Sequence, residues 1–269
     1  MGHKILLFTT AMLFLNASID RFRRIPLPSF EKNQKEISLL SYNLFFKNGY
    51  KSQIIQEIKQ TKADVVFLQE LTPGWNQSLS SSVYPAYPYQ KTYLNKGTRG
   101  LAILSKFPIV QYELVKTSRG IPFAQYCVVK VKGEKLVLVN GHLTSPAVAV
   151  ENPDHFYSLY RENAIHRQQQ WDKLSHKLQD LNIERQIIGG DLNTMPYEPL
   201  YRQIRHEWRD LFKAKGKGWG ATFPNVARIP LPMIKLDYIM FRGKIRPLES
   251  RVLQGSSSDH LAIWGKVSI

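Results

Sequence analysis

The sequence has a single cysteine, Cys127, among its 269 residues. One thiol excludes an intramolecular disulfide and a cysteine-rich metal site. Its place in the apolar run AQYCVVKV predicts a small core residue. The chain also lacks internal repeats, low-complexity tracts and linker-like stretches. Its length allows one large domain or two small ones, and without a linker we expect one domain over residues 31–269.

Acidic residues are scarce as well. There are 21 Asp and Glu against 37 Lys and Arg, which gives a formal net charge of +16. We therefore expect an acidic partner, either nucleic acid or anionic lipid, and charge alone does not separate the two. The basic run KAKGKG at residues 213–218 predicts a solvated loop.

No apolar run is long enough for a comfortable membrane span. Residues 1–30 carry an apolar stretch over residues 5–15 followed by small residues, a pattern that predicts a secretory signal peptide. Three arginines before residue 25 favour the alternative, an uncleaved membrane anchor with a basic segment. We expect a secreted, periplasmic or membrane-anchored protein, and a monomer.

Strand patterns dominate the remainder of the chain. Short apolar runs bounded by turns predict strands over residues 37–43, 63–70, 100–106, 124–131, 135–142, 185–193, 235–241 and 260–269. Helical patterns cover residues 52–61 and about 156–181. This composition predicts an α/β (α+β) domain, built as a two-sheet sandwich or one large mixed sheet with helices on the outer faces.

Polar residues stand where several of these strands begin or end. They are Asn43, Glu70, His142, Asp191, Asn193, Asp237, Asp259 and His260. Each has a local explanation, such as a turn, a cap or, for Asp237, an ion pair with Lys235 on an exposed face. Their joint occurrence predicts that they meet at one sheet edge. Carboxylates, amides and imidazoles without thiolates suit Mg²⁺, Mn²⁺ or Ca²⁺, and bound Mg²⁺ keeps positions open for phosphate.

Seven segments resemble, in order, those of the endonuclease/exonuclease/phosphatase superfamily, the DNase-I-like phosphoesterases. They are SYN, QE, GLAILSK, NGHLTS, GGDLNTMP, ATFP with KLDYIMF, and SSDH. The resemblance spans residues 37–269. It implies a four-layer sandwich of two packed mixed β-sheets flanked by helices, and hydrolysis of phosphoesters with Mg²⁺ or Mn²⁺.

The resemblance also implies a role for each polar residue. Glu70 is expected as the principal metal ligand, with Asn43 beside it on metal or phosphate and Asp259 near the metal.

On the catalytic side, the resemblance implies that Asp191 and Asn193 position the attacking water and a phosphate oxygen. It implies that His142 contacts phosphate, and that His260 is the catalytic histidine, oriented by Asp237. A carboxylate behind a histidine fixes its tautomer, which fits that pairing.

The sequence differs at three places from the abasic-site nucleases of this superfamily, which argues against abasic DNA as the substrate. Those enzymes usually have a polar residue where Phe45 stands, a lysine soon after QE, and an arginine where Lys235 stands. We expect instead a non-specific nuclease, for which the positive charge attracts a phosphate backbone. The alternative is a lipid-directed phosphatase or phosphodiesterase, favoured by the apolar segments TSPAVAVENPDHFYSL and VARIPLPMI, which are expected as loops beside the site.

The aromatic segment YPAYPYQKTY is expected to be a loop that packs on its own domain.

A further hypothesis is that the protein is not an enzyme but a basic module that binds nucleic acid or membrane. The complete set of polar residues argues against that hypothesis, because binding needs no such complement.

Overall fold

The computed structural model describes residues 35–225, 232–255 and 257–269. The strands are β1 Glu36–Asn43, β2 Val65–Gln69, β3 Tyr89–Tyr93, β4 Leu101–Ser105, β5 Ile109–Lys116, β6 Pro122–Val131, β7 Glu134–His142, β8 Gln186–Asp191, β9 Arg209–Asp210, β10 Asp237–Arg242, β11 Arg246–Val252 and β12 Ile263–Ser268. The helices are α1 Lys51–Thr61, α2 Pro73–Ser80, α3 Ala147–Glu151, α4 Phe156–Asp180, α5 Pro199–Glu207 and α6 Leu211–Lys215. Single 3₁₀ turns cover Tyr84–Ala86 and Pro153–His155.

These strands form two six-stranded mixed sheets. The first has the order β11-β12-β1-β2-β4-β3, and the second has the order β5-β6-β7-β8-β10-β9. Each sheet contains one parallel pair, β1 with β2 and β7 with β8, and the other pairings are antiparallel. The predicted two-sheet sandwich is therefore confirmed over the single large sheet.

Alternation along the strands explains the four layers, because successive side chains of a strand point to opposite faces. In β1, Ile37 and Leu39 pack into a core between the sheets, whereas Leu40 and Tyr42 pack outward against α1 and α2. In the second sheet the outward-facing side chains pack against α4 and α5. Both faces of each sheet are thus covered, and this produces the predicted helix–sheet–sheet–helix order.

The core between the sheets is closely packed. A Cβ added at Gly189 in β8 would lie 2.2 Å from the ring of Phe67 in β2, so the opposite sheet leaves room only for glycine there. Cys127 is fully buried in the same core, and this burial raises its pKa to about 12. The expectation of a small core residue is confirmed by this position.

All eight strands that the sequence predicts are present, as are both predicted helices. The loop expected at residues 84–93 is instead a 3₁₀ turn followed by the edge strand β3. The segment after His142, also expected as a loop, is mostly helical, with α3, a 3₁₀ turn and the start of α4. The signal or anchor over residues 1–30 and residues 226–231 lie outside the described residues. None of the helices in the described part of the chain is long and apolar enough to cross a membrane.

A buried amide pair, Gln69 of β2 and Asn140 of β7, links the sheets. Gln69 Nε2 donates to Asn140 Oδ1 at 2.7 Å, and Asn140 Nδ2 donates to the carbonyls of Leu68 at 2.8 Å and Ala102 at 2.9 Å. Both side chains are fully buried. Because buried polar groups need partners, this amide bridge fixes where β7 lies against β2 and β4.

The variant Asn140→Leu tests that bridge. It would leave the Gln69 amide and two carbonyls without their partner, and each buried orphan costs about 1–3 kcal/mol. We expect a loss of about 2–4 kcal/mol in the free energy of unfolding, measured by urea denaturation. The control Asn163→Leu makes the same change on the half-exposed side of α4 and should shift stability by less than about 0.5 kcal/mol. An unchanged midpoint for Asn140→Leu would show that the bridge does not hold the sheets.

Candidate active site

The polar residues singled out in the sequence meet at one edge of the sandwich because of strand direction. The parallel pairs end side by side, with Asn43 opposite Gln69 and His142 opposite Asp191. Strand β10 runs antiparallel to β8 and begins at Asp237, directly opposite Asp191. In the same way β12 runs antiparallel to β1, so the residues just before it reach this edge.

Asn43 joins Glu70 of its own sheet to Asp191 of the other sheet at this edge. Asn43 Nδ2 donates to Glu70 Oε1 at 3.3 Å and to Asp191 Oδ2 at 3.2 Å. Glu70 Oε2 accepts the backbone N–H of Phe46 at 2.9 Å. Glu70 has a φ of 61°, a left-handed conformation that is uncommon for a residue with a side chain. The chain thus accepts backbone strain where it turns this carboxylate into the edge.

His260 lies between two carboxylates. Its Nδ1 donates to Asp237 Oδ2 at 2.8 Å, and its Nε2 lies 3.8 Å from Asp191 Oδ2. The ring of Phe223 packs on the imidazole with a centroid separation of 4.7 Å. The hydrogen bond to Asp237 and the contact with the Phe223 ring together fix the imidazole with Nε2 facing Asp191.

His142 approaches the same Asp191 oxygen from the other side. Its Nδ1 donates to the Thr98 carbonyl at 3.0 Å, and its Nε2 lies 3.6 Å from Asp191 Oδ2. Asn193 lies just behind, where its backbone N–H donates to Asp191 Oδ1 at 3.0 Å and its Nδ2 donates to the Leu143 carbonyl at 3.1 Å. One oxygen, Asp191 Oδ2, therefore faces three nitrogens from three different strand ends.

Asp259 is held next to Asn43 through Ser258. Ser258 Oγ donates to the Asn43 carbonyl at 2.7 Å and also lies 3.3 Å from Asp259 Oδ1. Burial raises the pKa of Asp259; the neighbouring His260 opposes this, and the charge of Glu70 raises the pKa further. The charges of the two carboxylates that the sequence assigns to a metal therefore act on each other.

The charges at this edge are strongly coupled. Burial opposes protonation of His260, but the carboxylates of Asp237 and Asp191 outweigh burial and raise its pKa from 6.5 to about 10. Burial and the charge of Asp237 raise the pKa of Asp191 to about 6, and the two histidines act in the opposite direction. The imidazole of His260 is thus held in its charged form by the carboxylates around it.

These residues fit a divalent cation by their chemistry. The edge collects the carboxylates of Glu70, Asp191, Asp237 and Asp259, and among the described residues no lysine or arginine forms an ion pair with any of them. Hard carboxylate oxygens suit Mg²⁺ or Mn²⁺.

Two sets of side chains could hold that cation. Besides Glu70 with Asp259, the ligand atoms of Asp191, Asp237 and His260 all lie within 4.8 Å of one another and are buried. Binding at the second set would compete with the hydrogen bond between His260 and Asp237.

Sequence reasoning missed a buried ion pair that supports the two loops of the site. Arg167 of α4 reaches Glu198 with an N···O distance of 3.4 Å and donates to the Thr144 carbonyl at 3.3 Å. Glu198 Oε2 accepts the Thr194 hydroxyl at 2.6 Å. Thr144 follows His142 by two residues, and Thr194 follows Asn193 directly. The only sequence signals were an arginine and a glutamate near apolar positions, which usually indicate exposed residues.

The ion pair considered for Asp237 was assigned to the wrong partner. Lys235 Nζ instead contacts Asp210 Oδ2 at 2.7 Å, and both side chains are buried rather than exposed. Asp237 is oriented through its backbone, because its N–H donates to the hydroxyl of Thr222 at 3.3 Å. Lys235 and Asp237 are two residues apart, but Lys235 pairs with Asp210 and Asp237 accepts a hydrogen bond from His260.

Comparison with known proteins agrees with this geometry. The family model described as Endonuclease/Exonuclease/phosphatase family matches residues 40–260. No curated protein matches the chain in sequence.

Solved structures share the fold at low identity. A conserved protein of unknown function from Enterococcus faecalis V583 is 17% identical over 86% of this chain and 99% of its own, with a TM-score of 0.69. An endonuclease/exonuclease/phosphatase family protein from Bacteroides thetaiotaomicron is 15% identical over 88% and 99%, with a TM-score of 0.67. D. rerio TDP2 complexed with single strand DNA product is 18% identical over 86% and 98%, with a TM-score of 0.66.

The family match covers most of the chain and includes every strand-end residue from Asn43 to His260. The chain belongs to the endonuclease/exonuclease/phosphatase family.

Proposed function

We propose that the protein is a divalent-metal-dependent hydrolase of phosphodiester bonds in nucleic acid. One observation carries the proposal. Asp191 Oδ2 faces Asn43 Nδ2 at 3.2 Å, His142 Nε2 at 3.6 Å and His260 Nε2 at 3.8 Å. A carboxylate that faces an amide and two imidazoles from separate elements is suited to hold a water molecule and a phosphate together.

Each side chain has a task in this proposal. Asp191 accepts a proton from the attacking water and holds it in place, with Asn193 fixing the carboxylate through its backbone N–H. The Nε2 atoms of His142 and His260 face the same point and contact the phosphoryl oxygens, where charge grows during attack. Asp237 orients the ring of His260 through Nδ1 and helps to hold it in the charged form.

Glu70, Asn43 and Asp259 would bind Mg²⁺ or Mn²⁺. When bound, the cation supplies positive charge to the phosphoryl oxygens. Asn43 orients Glu70, and Ser258 ties Asp259 to the Asn43 backbone. Asn43 ends β1, Glu70 follows β2 and Asp259 precedes β12. All three strands belong to the first sheet, so the cation would lie on the first-sheet side of the site.

Nucleic acid is supported by charge and by one relative. The net charge of +16 attracts a phosphate backbone without regard to sequence. The solved TDP2 structure with single strand DNA product shows that this fold accommodates such a ligand in a relative.

A lipid head group is the second candidate substrate. Tyr157, with 88% of its surface exposed, and Met233, with 63% exposed, lie on the two segments expected to flank the site. Exposed apolar side chains beside basic ones suit an anionic membrane surface. In either case the secreted, periplasmic or membrane-anchored location and the monomeric state stay predictions.

Conservative variants test the site. Glu70→Gln weakens a cation ligand and His260→Gln removes an imidazole, so each should lower the rate of DNA cleavage in Mg²⁺ or Mn²⁺ by at least about 100-fold. Chelation by EDTA should stop turnover of the wild type. Glu162→Gln and His176→Gln, both exposed on α4, are matched controls and should keep the wild-type rate. Full activity of both site variants would refute the assignment, and binding without turnover in any metal would support the non-catalytic module.

A parallel substrate panel tests the choice of substrate. Plasmid DNA, single-stranded DNA, RNA, sphingomyelin vesicles and phosphatidyl phosphate vesicles are assayed on one preparation with Mg²⁺ and Mn²⁺. We expect cleavage of nucleic acid with a rate that falls steeply as salt rises, because phosphate contacts release counterions. Turnover confined to the lipid vesicles would overturn the nuclease proposal.

A further inference from the structure

An exposed tryptophan stands next to the site on a basic loop. Trp219 has 78% of its surface exposed, whereas the other tryptophans are buried, with 0% exposure at Trp75, 3% at Trp171, 1% at Trp208 and 6% at Trp264. Trp219 is therefore the one exposed tryptophan of the five. It lies in a stretch without acidic residues, Leu211–Asn225, which contains Lys213, Lys215 and Lys217.

The loop that carries Trp219 is packed. Gly218 and Gly220 flank it with φ values of +86° and +68°, which favour glycine. A Cβ at Gly220 or at Gly216 would lie 2.5 Å from the buried ring of Phe212, so the backbone curls closely around that ring. The loop backbone packs against the Phe212 ring, and the Trp219 side chain lies in solvent.

The same loop runs directly into the site. Thr222 accepts the Asp237 N–H at 3.3 Å, and its carbonyl accepts the Leu261 N–H at 2.8 Å. Phe223 packs on His260. Trp219 precedes Phe223 by four residues, which separates their Cα atoms by at most about 14 Å. The ring thus lies within reach of nucleotides that flank a phosphate held at His260.

We propose that Trp219, with Lys215 and Lys217, forms a subsite that stacks an unpaired base of single-stranded nucleic acid while the lysines contact its phosphates. This inference rests on the proposed nuclease function and names the form of the substrate. Stacking needs one exposed ring face and an unpaired base, and the nearby cations match the phosphates. A membrane surface would require a wider apolar patch, whereas the sequence neighbours of Trp219 are glycine, alanine and lysine.

The kinetic test compares Trp219→Ala with Trp219→Phe. For Trp219→Ala, we expect kcat/KM for a single-stranded oligonucleotide, relative to that for the base-free diester bis(p-nitrophenyl) phosphate, to fall by about 5- to 150-fold, mainly through KM. Trp219→Phe keeps a ring and should recover much of that loss. An unchanged ratio in Trp219→Ala, with wild-type protein cleaving the oligonucleotide, overturns the subsite and leaves the proposed function standing.

Binding separates the subsite from catalysis. In EDTA with the His260→Gln variant, the accessible tryptophan fluorescence comes from Trp219, because the other four are buried. A single-stranded oligonucleotide should protect it from acrylamide quenching. Lys215→Gln/Lys217→Gln should reduce the salt slope of log Kd by about 0.7 for each lysine that contacts a phosphate. The control Lys130→Gln/Lys135→Gln, on the hairpin at the far end of β7 from His142, should keep the slope.

The outcomes distinguish the two proposals. If oligonucleotide protects Trp219 but wild-type protein cleaves no nucleic acid in Mg²⁺ or Mn²⁺, the proposed function fails and the subsite stands. Protection by phosphatidylglycerol vesicles and not by oligonucleotide overturns the subsite in favour of a membrane contact. Absence of protection by either also overturns it.

Discussion

The amide bridge between Gln69 and Asn140 is the contact on which the site depends. Each residue lies within two positions of a site residue, Gln69 before Glu70 and Asn140 before His142. Apolar packing between two sheets is non-directional and tolerates small shifts, whereas three buried hydrogen bonds do not. The distance between Asn43 of one sheet and Asp191 of the other is therefore set by the amide bridge buried beneath them.

Above that bridge four carboxylates lie together, and no lysine or arginine in the described part of the chain forms an ion pair with them. The cations are elsewhere: Lys235 pairs with Asp210, and Arg167 pairs with Glu198. Both pairs are buried and support elements that lead into the site. A protein with a net charge of +16 thus keeps its reactive edge acidic, which suits a cation bound there and a polyanion attracted from around it.

Much of the fold was predictable because the central strands are apolar on both faces and end at a polar residue. The four strands that were missed are the edge strands of the two sheets. Strands β3, β5 and β11 have many exposed polar residues, and β9 is only two residues long. The predicted site residues could be recognised by type and position. The buried polar residues that support the site could not be recognised, because the sequence does not distinguish a buried amide or ion pair from an exposed one. They are Gln69, Asn140, Arg167 and Glu198. Only the packing of distant segments gives them partners.

The place of β12 has a consequence for how the protein is made. This last strand inserts between β11 and β1, pairing Ser268 with Glu36, and only then does His260 come beside Asp237 and Asp191. During synthesis, Asn43, Glu70, His142 and Asp191 leave the ribosome well before their final partner. The nascent chain is therefore without a complete site until β12 has been made. Contacts between residues so distant in sequence form slowly, so the site is completed only when the whole sandwich has assembled.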